Sequence, residues 1–264
     1  VRTPIGNFGG TLAASSAAHL GGVAAAAAIE RSRVPRERVD EVVFGHARQA
    51  GNGPNLARQV VRRAGLADAV PAYTINKACA SGMQAVVNAA QLVRLGDAEV
   101  VLAGGSEHMT SIPYLATDVR WGKKLGDEPL LDAMYRDGYQ CPLCDQLMGE
   151  TSETLASEYA ISREEQDRYA LRSNQRAARA WTDSRFAAEV VPVSVGEGKR
   201  ATVVERDEHF RGDTSLEELG KLRPVFRKDG SITAGNASAI TDGAAALMVL
   251  SESAVKLHGV TPHA

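Results

Sequence analysis

The chain has 264 residues, 44% of them hydrophobic, which is enough for one large or two ordinary domains with a substantial core. Its 30 basic and 32 acidic side chains leave a net charge of −2, so bulk electrostatics points to neither a nucleic acid nor an anionic membrane as partner. Three cysteines give no disulfide framework and suggest a reducing, cytoplasmic setting; with no secretory apolar region and no bilayer-spanning run, the chain is expected to be soluble.

The opening VRTPIGNFGG reads as a loop because of Pro4, Gly6, Gly9 and Gly10. A helix is expected over roughly 16–32, where the alanine run favours tight packing, then a strand around 41–47 and a helix over about 55–63, entered through Gly51 and Gly53. AYTI at 72–75, preceded by Pro71, reads as a strand leading into NKACASGMQAV at 76–86. There Ser81 is expected to cap a helix whose Met83, Val86, Val87, Ala90 and Val93 recur at helical spacing, ending at Gly96 and Asp97. A further strand over 98–105 completes an alternation of strands and helices that argues for a layered α/β domain.

From about Ser111 the texture changes, with Pro113, Pro129 and Pro142 among scattered tyrosines and charges, and an inserted lobe is expected. Ser162 and Glu165 form a capping box that starts a long helix through about Trp181. Its arginines are interleaved with acids, which favours a solvated face over nucleic-acid binding. Residues 189–195 and 201–205 read as paired strands and 215–222 as a short helix. ITAGNASAITDGAAALMVL at 232–250 reads as strand, helix and strand, followed by a helical turn over 251–259.

Cys79 lies between the expected strand and helix, facing the positive end of the helix dipole, with only Ala80, Ser81 and Gly82 beside it. That placement suits a nucleophile, and it equally suits a small buried apolar cysteine; the residues alone leave both open. CPLC at 141–144 has the spacing of a zinc or redox pair, but it lacks a second pair and a preceding strand. GGSEHMT at 104–110 lacks the lysine and spacing of a phosphate loop, so close backbone packing is favoured there, with His108 structural.

Taken together, NKACASGMQAV at 76–86, VVLAGGSEHMT at 100–110 and ITAGNASAITDGAAALMVLSE at 232–252, in that order, resemble the thiolase family, as do VRTPIGNFGG at 1–10 and QAGNGPNLARQ at 49–59. The resemblance covers essentially the whole chain. It implies a thiolase-like layered α/β fold, a mixed sheet between helices, with an inserted α+β lobe. Residues 1–110 and 231–254 would form the N-terminal domain, 111–230 the inserted CoA-binding loop domain, and 255–264 the start of a connection to a second domain.

The resemblance also implies a chemistry. Cys79 would be acylated by an acyl-CoA, and a second acyl-CoA would attack the acyl-cysteine in a Claisen condensation, or the steps would run backwards as thiolysis. Acetyl transfer between acetyl-CoA units is the leading expectation; longer-chain 3-ketoacyl-CoA thiolysis and a non-catalytic CoA-binding subunit are the alternatives. Met148 would line the thioester end of the tunnel, with Leu147 where a histidine is common. Arg211 would approach the CoA nucleotide, Phe226 would contact CoA, and Ser238 beside Ala237 would hydrogen-bond the pantetheine arm. No metal or cofactor is implied, CoA thioesters being substrates, and a homodimer or homotetramer is expected.

Family members have a short strand ahead of the opening loop and a second domain bearing an asparagine, a histidine and a second cysteine. None of His19, His46, His108, His209, His258 and His263 has the glycine-rich context of that histidine, so the chain reads as a thiolase cut short at both ends. Losing one oxyanion donor typically costs on the order of 10²–10³ in rate, and on that ground the chain is expected to be nearly inactive alone.

Overall fold

A computed structural model describes residues 1–196, 198 and 201–263. The elements, in order, are β1 (Gly6–Asn7), α1 (Ala17–Ser32), β2 (Glu41–Gly45), α2 (Leu56–Arg63), β3 (Ala72–Ile75), α3 (Ser81–Leu95) and β4 (Val100–His108). There follow β5 (Tyr114–Leu115), β6 (Leu131–Asp132), a π-helical turn at Tyr135–Tyr139, β7 (Gln140–Cys141), β8 (Gln146–Leu147), α4 (Met148–Glu158) and α5 (Arg163–Thr182). The chain closes with β9 (Val193–Val195), β10 (Thr202–Val204), α6 (Leu216–Gly220), β11 (Thr241–Leu250) and α7 (Glu252–His258). None of the helices among the described residues is long and apolar enough to cross a membrane.

The chain divides into two compact units, the first made of Val1–Ile112, Ala188–Glu208 and Thr241–Ala264, the second of Pro113–Ala187 and His209–Ile240. The strand pair β9 and β10 thus belongs with the first unit, and residues 231–240 with the second. The sequence alone places both the other way.

The first unit is built on a five-stranded mixed sheet in the order β1-β11-β4-β2-β3, with β2 parallel to β3 and β4, and β11 antiparallel to β4 and β1. Because successive strand residues face opposite sides, Val42, Phe44, Val100 and Leu102 pack with α1 and α2, while Val43, Val101 and Ala103 pack with Ala85 and Ala89 of α3. Sequence alone located α1, α2 and β3 well. Ser16 and Asn55 accept hydrogen bonds from His19 N and Arg58 N as N-caps, which is why those two helices start where they do.

Four expectations change. The opening segment, read as a loop, supplies β1. β4 runs past its expected end at Gly105 to His108, since Ser106, Glu107 and His108 sit opposite β11 in the ladder, at Ala244, Gly243 and Asp242. Residues 232–240 contain no helix; they form turns held by side chains, and β11 is the one strand of that stretch. On α3 the buried face is Ser81, Ala85 and Ala89, whereas Met83 and Val87, expected to face the core, are exposed. The smallest residues face the sheet because the helix lies close against it.

The second unit is organised by α4 and α5. α4 has no counterpart among the helices expected from the sequence. At α5 the expected capping box is present: Ser162 accepts from Glu165 N, and Glu165 accepts from Ser162 N. Ser215 caps α6 in the same way.

Candidate active site

In the first unit, β3 leads into a tight turn over Asn76–Ala80 from which α3 rises. Ala78 takes a left-handed backbone conformation at φ 47°, uncommon for a residue with a side chain. Two neighbours hold it there: the Asn76 side chain accepts from Ala78 N at 3.0 Å, and the Ser81 hydroxyl donates to the Ala78 carbonyl at 2.6 Å. The Ser81 hydroxyl also accepts from Lys77 N at 2.8 Å. Ser81 therefore fastens the turn from inside the helix, while the N-cap position falls to Ala80, which offers no side-chain bond. This corrects the expectation that Ser81 caps α3.

The turn presents Cys79 to solvent as a free thiol, directly before the first turn of α3, where helix N–H groups lack intrahelical acceptors. The glycines around it explain how the helix start reaches the sheet. A Cβ on Gly45 would lie 2.3 Å from the Ser81 carbonyl carbon, and one on Gly105 would lie 3.2 Å from the Gly82 Cα. These contacts are backbone against backbone, as the sequence of that segment suggests. An open cleft of about 880 Å³ adjoins Cys79, with Gly82, Met83, Val86, Gly105 and Leu247 among its mainly apolar lining.

Behind this surface lie two buried histidines. His46 Nδ1 is 2.7 Å from the Ser106 carbonyl and 3.4 Å from Glu107, whose carboxylate accepts the N–H groups of Ala47 and Arg48. His108 Nε2 is 3.0 Å from the Leu12 carbonyl and 3.7 Å from the buried Asp242. Asp242 in turn accepts from Thr110 N and the Thr110 hydroxyl at 3.0 and 2.5 Å. His108 thus ties β4 to β11 and to the loop before α1.

The other singled-out residues lie in the second unit. Met148 opens α4 and is partly exposed; Gly149 after it carries the Phe226 ring so closely that a Cβ there would fall 2.2 Å from it. Met148 and Phe226 are therefore neighbours. Ala237 and the exposed Ser238 follow a turn in which Asn236 accepts from Thr233 N at 2.7 Å and donates to Asp167 of α5 at 2.9 Å. Glu153 of α4 accepts from Ser231 N and Ile232 N at 2.9 and 2.8 Å, so one helix anchors both Met148 and the approach to Ser238. Arg211 is exposed, its N–H donating to Asn174 at 2.8 Å, roughly 10 Å along α5 from the Asp167 contact. Sequence reasoning missed Glu153, Asp167 and Asn236. No sequence signal marks the two acids, because their burial and their partners appear only in the folded unit.

The first unit thus defines a class of protein, a layered α/β chain that offers an exposed thiol where an edge strand turns into a helix. The chain belongs to the thiolase family: the model described as "Thiolase, N-terminal domain" matches residues 1–253. It is 46% identical over 263 residues to the acetyl-CoA acetyltransferase of Escherichia coli (strain K12), covering 99% of this chain and 67% of that protein. It is 43% identical over 262 residues to a probable acetyl-CoA acyltransferase of Staphylococcus epidermidis (strain ATCC 12228 / FDA PCI 1200), covering 99% and 66%. Its structure is similar to the crystal structure of the Bacillus anthracis acetyl-CoA acetyltransferase, with a TM-score of 0.95 at 42% identity, covering 99% of this chain and 66% of that one. Human mitochondrial 3-ketoacyl-CoA thiolase in complex with CoA gives 0.93 at 43%, covering 99% and 65%. The chain spans about two thirds of the length of the curated relatives it matches.

Proposed function

We propose that Cys79 is the nucleophile of a thiolase-type acyl transfer between acetyl-CoA units. The Cys79 sulfur attacks the thioester carbonyl, the carbon–sulfur bond to CoA breaks, and CoA leaves as the thiolate, which takes up a proton. The α-carbon of a second acetyl-CoA, having lost a proton, then attacks the acyl-cysteine to give acetoacetyl-CoA and return the Cys79 thiolate; thiolysis reverses these steps. The observation that carries this reading is the exposed Cys79 at the strand-to-helix turn, held by Asn76 and Ser81 and flanked by small residues that leave room for an acyl group.

The second unit is proposed to bind CoA. Phe226 and Met148 supply an apolar surface, Ser238 a hydroxyl for the pantetheine arm, and Arg211 a guanidinium for phosphate. A homodimer or pair of dimers is proposed on the family resemblance. Longer-chain 3-ketoacyl-CoA thiolysis is the second reading, favoured by Leu147, which offers an apolar side chain beside Met148.

The test is to incubate the chain with radiolabelled acetyl-CoA, with Cys79→Ala beside it, and count label on denatured protein. Label that disappears in Cys79→Ala is expected. No label on folded wild-type chain would remove Cys79 as a nucleophile that this chain activates by itself. A series of acyl chain lengths in the same assay separates the two readings.

A further inference from the structure

We propose that Cys141 and Cys144 form a redox-active dithiol that exchanges with low-molecular-weight disulfides, a site separate from the Cys79 chemistry. The hairpin of β7 and β8 pairs Gln140 with Leu147 and Cys141 with Gln146, leaving residues 142–145 as its turn. Cys141 ends the first strand and Cys144 lies three residues on, within the span a four-residue turn brings together and a disulfide bridges. Both thiols are free, Cys141 half-buried and Cys144 exposed, and Leu143 between them projects outward. Gln140 Nε2 donates to the Asp145 carboxylate at 2.8 Å, fastening the turn from its two ends.

The two sulfurs are not equivalent. The backbone N–H of Cys144, then that of Leu143, then the Cys144 thiol are directed at the Cys141 sulfur and hold its thiol below the ordinary value. Cys144 is held above it, chiefly because its own thiol hydrogen is engaged by Cys141. One sulfur is thus prepared to attack and the other to follow.

The exchange balances in two steps. The Cys141 thiolate attacks one sulfur of R–S–S–R, forming Cys141–S–S–R and expelling RS⁻, which takes up a proton. Cys144 loses its proton to solvent and attacks the Cys141 sulfur, forming the Cys141–Cys144 bond and expelling the second RS⁻. The protein dithiol loses two electrons, and the small disulfide becomes two thiols.

The reduced whole chain is equilibrated with oxidised and reduced glutathione in graded ratios, blocked with iodoacetamide and mapped by peptide mass spectrometry. The expected result is a tryptic peptide that carries both cysteines unalkylated and has lost two hydrogens, appearing as the ratio becomes oxidising and vanishing with dithiothreitol. In Cys144→Ser, glutathione should accumulate on Cys141 at least about fivefold faster than on Cys144 in Cys141→Ser, because attack follows thiolate fraction. Full alkylation of both residues at every ratio would overturn the proposal, as would stable glutathione adducts on both in the wild-type chain. Equal or reversed rates in the single variants would overturn the assignment of Cys141 as the attacking sulfur.

Discussion

Gly45 at the end of β2 abuts Ser81 at the start of α3 so closely that a methyl group on it would fall 2.3 Å from the Ser81 carbonyl carbon. That contact is main chain, so no side-chain rotation relieves it. Gly45→Ala is expected to cost about 1–3 kcal/mol in urea unfolding, the usual range for overpacking a tight site. Iodoacetamide labelling of Cys79 should change with it, since the helix start that positions the thiol must move. An unaltered unfolding midpoint would show that the two elements separate without penalty.

Ser81→Ala distinguishes a fastened turn from a capped helix. The Lys77 N–H would lose its buried acceptor and Ala78 one of the contacts that keep it left-handed, at an expected cost of about 1–3 kcal/mol. Ala80→Ser, which places a hydroxyl at the true N-cap, should stabilise by up to about 1 kcal/mol. If Ser81→Ala proved neutral, the turn would be held by Asn76 alone.

Cys79→Ala removes an exposed side chain and should leave stability within about 0.5 kcal/mol of the parent. Acyl label should fall to background in the same variant. A large loss of stability would mark the cysteine as a packing residue and confound the labelling result.

Asp242→Ala should be among the most damaging single changes, costing about 3–5 kcal/mol. The carboxylate is fully buried and receives both Thr110 donors, with His108 alongside. Its loss strands three polar groups between β4, β11 and the α1 loop. Thermal unfolding of the variant would show the effect as a large fall in midpoint.

Glu153 gives the second unit an acid-sensitive joint. Burial opposes its ionisation, but the Ile232 and Ser231 N–H groups, the Ser231 hydroxyl and Arg227 outweigh it and hold its carboxyl below the ordinary glutamate value. Its contribution is therefore complete above the unfolded value of about 4.3 and is lost as pH falls through the lower, folded value. Glu153→Gln should lose about 1–3 kcal/mol at neutral pH and show a flatter fall in stability below pH about 4. Parallel acid limbs in the two proteins would remove Glu153 as a cause.

Several elements of both units could be read from local signals. Ser16, Asn55, Ser162 and Ser215 announce their helices because a cap is a contact between residues three apart, and β3 is bracketed by Pro71 and the Asn76 turn. What escaped was settled by distant partners. Ser106, Glu107 and His108 carry no strand pattern, yet they continue β4 because β11, more than a hundred residues away, pairs with them. Met83 and Val87 fit a helical stripe, but the face against the sheet had to be the small one. Cys79 stood out through its motif; Glu153 and Asp167, which hold the turn before Ser238, did not, because neither helix position announces the donors across the fold, the Ser231 and Ile232 N–H groups for Glu153 and the Asn236 side chain for Asp167.

The pairing of β4 with β11 also sets a schedule for synthesis. β4 ends at His108 and its partner runs to Leu250, so about 140 residues emerge from the ribosome before a central strand finds its neighbour. At ordinary elongation speeds that interval is roughly 7–30 s. During it the nascent chain can assemble only β2, β3 and β4, with a free hydrogen-bonding edge on β4, while the second unit is still being made. Slow codons within residues 113–187 would prolong that exposure, and faster translation of the same stretch would shorten the time in which a nascent β4 invites a holding chaperone or a stray strand.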